Sequence, residues 1–495
     1  MADQVHAYDV LVVGAGNAGL CAAQAAHEAG VTVGILEKAP RAERGGNSAL
    51  TGHMRFPYSS ADEIAPLMND PDPVVLDRIR ERAPKRDQGD LWDEIMLVTN
   101  GESDPDLLQV HVGEGYSTIK WLRSKGHDWV ATFEATTGNI VTMNGGGYGL
   151  QMRHFANVEH AGIPVHYQTA MRELLTDGQG RVTGVQAITP QGYATFHARS
   201  VVLSCGGFES NAEMRARYLG HRWDTVRLRG VPFNTGDGLQ AALEIGAVPY
   251  GSWSSCHASP QDIELPAFSM PSSVAVGRRA WTRYAYPYGI MVNSNGHRFV
   301  DEADEIRALT YAKMGRSILA QPGGIAFQIF DRKARDMGLL DSYDKANATG
   351  TRANTLEGLA GELGIDPAGL TRTVNEFNAA IQPGTLAPDP FRKDGKHTEG
   401  LKPNKSNFAI SLDEGPFEGY AVRCGMTFTF GGLQVDPKTA QVQHVGGWAL
   451  PGLYTCGEML GGLWHWSYAS GSGMMAGATF GRIAGTNAAR TARGE

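Results

Sequence analysis

Near the N-terminus, Tyr8-Asp-Val-Leu-Val-Val13 is an almost unbroken apolar, β-branched run, the pattern of a parallel strand buried on both faces. Leu20–Ala29 is rich in alanine and predicts a helix that Gly30 stops, and Val31–Leu36 repeats the strand pattern up to Glu37. Two further apolar runs end in glycine: Ser200–Leu203 before Gly206-Gly207, and Gly452–Thr455 before Gly457. Arg181–Ile188 predicts a strand of an inserted antiparallel sheet. Asp104 followed by Pro105 predicts a capped helix start. Leu356–Leu363 and Leu370–Ala380 predict helices, whereas the Pro/Gly/Ser-rich stretches Ser252–Ser259 and Pro383–Lys405 predict bends.

Between the first strand and helix lies Gly14-Ala-Gly16-Asn17-Ala18-Gly19. Gly14 permits a tight turn, Gly16 lets the backbone approach a pyrophosphate, and Gly19 allows close packing of helix on strand. The helix N-terminus offers amides to an anion. Glu37, about 20 residues on, stands where a carboxylate accepts hydrogen bonds from a ribose. Strand, glycine loop, helix and acidic residue in this order predict a dinucleotide site. The motif alone leaves NAD and FAD open. Glycine-rich segments far along the chain favour FAD, which is long enough to be touched by all of them: Gly45-Gly46-Asn47-Ser48 with Thr51, Cys205-Gly206-Gly207, Gly457-Glu458 and Ser470-Gly-Ser-Gly473-Met474.

Composition narrows the picture. Glycine numbers 63 of 495 residues, against roughly 35 for an average chain, and its lack of a three-residue period excludes collagen. The net charge of −8 argues against nonspecific nucleic-acid binding, and no apolar run reaches the length of a membrane span. The N-terminal residues lack a signal-peptide pattern. Five scattered cysteines without metal or haem spacing point to a reducing cytoplasm and to no metal site. No hydrolase elbow, zinc-protease or P-loop motif occurs.

Taken together, Gly14–Gly19, Arg44-Gly-Gly-Asn-Ser48, Cys205-Gly-Gly-Phe208, Thr235-Gly-Asp-Gly238, Tyr288–Asn293, Gly296–Glu302, Gly457-Glu458 and Ser470–Gly473 resemble the flavoprotein family of fumarate reductases, succinate dehydrogenases and 3-ketosteroid dehydrogenases. The tricarballylate dehydrogenase-like branch is the nearest likeness. The resemblance implies an α/β fold: a Rossmann-like FAD-binding domain of the glutathione-reductase type, split in sequence into about 1–245 and 415–495, with an inserted α+β capping domain at about 246–414. It implies oxidoreduction of a C–C bond beside a carbonyl or carboxylate, in the dehydrogenase direction, with alkene reduction as the alternative and a non-catalytic flavin protein as a third reading. The substrate is then an organic acid or cyclic ketone, with a separate electron partner. Lys38 and Asp237 join the expected FAD contacts.

By the same resemblance Arg307 matches the proton-transfer arginine, with a surface arginine paired to Glu302 or Asp304 as the other reading. His257 resembles a substrate-binding histidine, and Glu302 a proton-relay carboxylate or a structural ion pair. Fumarate reductases carry a histidine and then a carboxylate-clamping arginine near the C-terminus. Here His465 fills the first place, between Trp464 and Trp466, and no arginine occurs between Gly461 and Gly481. A missing arginine removes a bidentate carboxylate contact, which opens the substrate class. Tyr284, Tyr286 and Tyr468 are candidates for acid–base work, against plain packing. The flavin is expected to be non-covalent, His53 being the one histidine near the family's attachment place.

Overall fold

A computed structural model of the protein describes residues 4–133, 139–274, 281–346 and 348–495. The apolar run at the N-terminus is the centre of an eight-stranded sheet. Gln4–Val13 pairs in parallel with Val33–Leu36 on one side and with Gly192–Leu203 on the other. Ala449–Thr455 then adds in parallel beyond Gly192–Leu203. The glycine-terminated runs predicted as strands are therefore neighbours, and all end at the same edge. Val182–Thr189 pairs antiparallel with both Ala170–Thr176 and Gly192–Leu203, as the inserted antiparallel strand requires.

The first helix, Asn17–Glu28, lies against the last, Ser472–Arg493. Their backbones meet with nothing between them: a Cβ on Gly481 would stand 2.4 Å from the Ala18 carbonyl oxygen, and one on Gly485 2.1 Å from that of Ala22. Two ends of the chain are thereby locked into one layer. The alanine of the first helix serves this approach as much as helix propensity.

A second, six-stranded sheet is built on the long strand Phe417–Leu433, which pairs antiparallel with Pro249–Asp262, Ile325–Phe330 and Gly350–Ala353. Ser252–Ser259, expected as a bend, is inside Pro249–Asp262. The register with Phe417–Leu433 shifts between Ser252 and Cys256, so the serines mark a bulge in a strand and not its end. Leu356–Leu363 and Pro367–Ala380 form the expected helices over this sheet. Asp104 caps Pro105–Ser124 by accepting from the amides of Asp106 and Leu107.

Candidate active site

A cleft runs between the two sheets, lined from the first sheet by Val13 and Leu36 and from the second by His257 and Phe428. Its two ends differ in chemistry.

At one end the walls are glycine loops. Gly14 has φ +103°, and a Cβ there would stand 2.6 Å from the Ser204 carbonyl oxygen, so only glycine makes the turn. Asn17 at the helix start donates its amide to Ser48 Oγ at 3.1 Å and its Nδ2 to the Met474 carbonyl at 2.8 Å. The first, second and last predicted cofactor segments thus meet at one point. Glu37 is buried and accepts from the amides of Ala15 and Ala39 at 2.9 and 2.7 Å. Burial raises its carboxyl above the usual range, against the pull of those amides. Lys38 pairs with Asp237 at 2.7 Å. Asn47 donates to Glu209 and to the Thr427 carbonyl, both at 2.7 Å.

Of the residues expected to hold FAD, Gly14, Gly16, Asn17, Ala18, Glu37, Lys38, Gly46, Asn47, Ser48, Thr51, Cys205, Gly206, Asp237, Gly457, Glu458, Ser470, Gly473 and Met474 line the cleft. Gly19, Gly45 and Gly207 do not. A Cβ on Gly19 would lie 2.0 Å from the Gly14 carbonyl oxygen, and one on Gly207 2.0 Å from Thr429 Oγ1; both keep space for packing. Gly45 takes φ +108° and leads into the turn Gly46–Leu50. A helix N-terminus, close-approaching glycine backbone and a buried carboxylate at the strand tip fit a dinucleotide. Burial pushes the Cys205 thiol up to about 12, so its sulfur is not a reactive thiolate.

At the other end the walls are rings and cations. Arg307 opens the helix Arg307–Leu319 and is buried, which excludes a surface arginine. Its guanidinium carbon is 5.4 Å from the ring centres of both Tyr284 and Tyr311. His257 stacks on Phe428 at 5.3 Å and meets the edges of Tyr311 and Tyr468 at 4.9 and 5.2 Å. Burial, then the charge of Arg229, holds its imidazole well below the usual 6.5, so it is neutral. Tyr311 donates to the Tyr468 hydroxyl at 3.0 Å, which also accepts the Gly471 amide at 2.9 Å. Burial raises both phenols above their ordinary value.

The structure brings Arg307, His257, Tyr468 and Tyr284 together on this wall and leaves three expected residues outside the cleft's lining. Tyr286 is fully buried with its hydroxyl 2.6 Å from Thr310 Oγ1. Glu302 is bound to Arg298 at 2.6 Å and accepts the Met291 amide at 2.8 Å. His465 is half-buried beside the exposed Trp466, whose φ is +62°. Sequence reasoning missed Arg229, Tyr311 and Phe428, all of which line the cleft. Arg229 lies six residues before the Thr235-Gly-Asp-Gly238 segment, and that nearness was the one signal pointing to it.

The sequence profile of the FAD binding domain matches residues 9–474. The chain is similar to the fumarate reductase (cytochrome) of Shewanella frigidimarina, 28% identical over 497 residues that cover 97% of this chain and 77% of that protein. It is also similar to the 3-oxosteroid 1-dehydrogenase of Mycobacterium tuberculosis, 28% identical over 352 residues, 66% of this chain and 60% of that one. Among solved structures, the open conformation of a flavocytochrome c3 fumarate reductase superposes with a TM-score of 0.73 at 25% identity, over 98% of this chain and 79% of that chain.

Proposed function

The chain belongs to the FAD binding domain family and is an FAD-dependent oxidoreductase acting on CH–CH groups, and on that premise we propose how its cleft divides the work. The glycine-walled end holds FAD, which when bound supplies the acceptor or donor of a hydride. The ring-and-cation end holds a substrate whose reacting carbons lie beside a carbonyl or carboxylate. Arg307 exchanges the proton at the carbon next to that group. His257, neutral, donates a hydrogen bond to the activating oxygen. The rings of Tyr284, Tyr311, Phe428 and Tyr468 exclude water from the reacting atoms. The observation that carries this reading is the burial of Arg307 on the same wall as His257.

Dehydrogenation of a saturated organic acid, the tricarballylate dehydrogenase-like activity, or of a cyclic ketone is the first reading. Alkene reduction is the second, favoured by the similarity to the fumarate reductase. Anaerobic mixing separates them: a saturated substrate that bleaches the yellow enzyme supports the first. Reoxidation of the reduced enzyme by an alkene, with no bleaching by any saturated acid or ketone, supports the second.

We read the cofactor as non-covalent although His53 lines the cleft. Acid precipitation is expected to leave all the yellow colour in the supernatant; colour in the pellet identifies a covalent link. The chain divides, in this proposal, at about 245 and 414 into a split FAD-binding domain and a cap. Five unpaired cysteines support a reducing, cytoplasmic setting. Among the described residues no helix is long and apolar enough to cross a membrane. The electron partner is a separate molecule.

A further inference from the structure

No arginine occurs between Gly461 and Gly481, but Arg229 lines the cleft. Arg229 follows the short strand Arg227–Leu228, which pairs in parallel with Gly425 and Met426 of the second sheet. Its own amide donates to the Met426 carbonyl at 2.8 Å, so the side chain is anchored at its root. The side chain lines the cleft with Arg307 and His257. Its guanidinium donates to the neutral Thr427 Oγ1 at 3.2 Å, and among the described residues no carboxylate forms an ion pair with it. Arg229 is half-buried; three other arginines inside the fold are matched by acids, Arg55 with Glu94, Arg283 with Asp262 and Arg298 with Glu302, and Arg215 is held by the carbonyls of Glu209, Trp223 and Asp224. The ionisable groups that feel Arg229 are the phenols of Tyr284, Tyr311 and Tyr468 and the imidazole of His257, and no carboxylate is among them.

A cation held away from bulk water without an acidic partner costs several kcal/mol, which an anionic ligand offsets. Guanidinium presents a planar fork that matches a carboxylate in two parallel hydrogen bonds. Arg307 and Arg229 share Tyr284 and Tyr311 as neighbours, so a substrate reaching Arg307 with its reacting carbon places its acid group within the same ring-walled end. We propose that Arg229 binds the substrate's carboxylate, and that the substrate class is therefore an organic acid and not an uncharged cyclic ketone. This deepens the reading above and rests on it for the location of the substrate.

The test is equilibrium binding of malonate to the oxidised FAD-loaded protein, followed by the flavin difference spectrum and by calorimetry. Malonate has one methylene between two carboxylates and no C–C bond to desaturate, so binding is read without turnover. Wild type is expected to bind malonate and to ignore its diethyl ester. Arg229→Gln is expected to bind about 100-fold more weakly, and Arg229→Lys to fall between, both with wild-type FAD content and an unchanged free-enzyme flavin spectrum. Wild type that ignores malonate overturns the proposal, as does a Gln variant that binds it normally. A Gln variant with altered flavin spectrum or FAD content and unchanged malonate affinity assigns Arg229 to the cofactor, which also overturns it. Phosphate binding as tightly as malonate removes the carboxylate assignment. The two readings fail separately. Flavin bleached by cyclic ketones, with no malonate binding, sinks the carboxylate clamp alone. Malonate binding with no flavin redox response to any acid, ketone or alkene sinks the C–C chemistry alone.

Discussion

Two groups of buried charge in this protein look alike in composition and differ in what they lack. Glu302, Arg298 and Lys405 form a closed cluster: the Arg298–Glu302 pair at 2.6 Å, Lys405 at 3.6 Å from the same carboxylate, and the Lys405 ammonium donating to the Gly289 carbonyl at 2.8 Å. Burial works to raise the Glu302 carboxyl, but Arg298 and Lys405 hold it below the usual range. Burial pushes the Lys405 ammonium down to about 8. Arg229 sits on the cleft wall, where its guanidinium donates to Thr427 Oγ1 and, among the described residues, no carboxylate forms an ion pair with it. The closed cluster is finished by the chain itself and holds the second sheet's edge strand, Ile290–Val292, through the Met291 amide. The open one, in our proposal, is finished by a ligand. Glu302 and Arg307 are five residues apart, yet they belong to different clusters and do different work.

The largest effect is expected at the open cluster. Arg307→Ala should retain FAD but lose turnover by about 10²–10⁴-fold, the range for a proton-transfer group. Steady-state rates with the substrate found by flavin bleaching check it, and near-normal turnover would remove Arg307 from the mechanism. At the closed cluster, Glu302→Ala leaves two cations buried without their acid. Stability should fall by about 3–5 kcal/mol, read by urea unfolding of the holoprotein. A Glu302→Ala protein with normal stability and no turnover would return Glu302 to proton relay and break the comparison.

A neutral buried group sharpens the same contrast. His111 packs edge-on against the cleft residue Trp464 at 5.9 Å, and burial pushes its imidazole from 6.5 to about 4. The unfolded chain takes up this proton near 6.5, whereas the native protein does so only near 4. The native state therefore loses stability as pH falls through that window. From pH 7 to pH 5 this histidine alone should cost about 2 kcal/mol. His111→Phe should flatten the acid limb of a urea-midpoint profile by that amount, and an unchanged limb would show that the histidine titrates normally in the native state. The smallest effect is expected at His257. His257→Ala removes one neutral hydrogen bond to the activating oxygen and should lower kcat/KM about tenfold; an unchanged kcat/KM would remove His257 from the reaction.

The cofactor end was largely legible in the chain because its chemistry is local. Gly14 to Gly19 supplies turn, close approach and helix start within six residues, and backbone amides need no particular side chain to point at an anion. The failures fell where geometry depends on distant partners. Ser252–Ser259 reads as a bend, since a bulge and a strand end use the same residues, and only pairing with Phe417–Leu433 tells them apart. Tyr286 and Tyr284 alternate in sequence and are equal candidates there. In the fold one hydroxyl is used by Thr310 and the other residue faces the cleft.

A split, glycine-lined site for an extended dinucleotide can be read along the chain, as can the lack of an arginine between Gly461 and Gly481. Tertiary structure alone decided which charges are already neutralised. Whether Arg298, Arg307 or Arg229 meets a carboxylate is set by contacts between strands and helices far apart along the chain, and a buried charge acquires its role from what the fold leaves beside it.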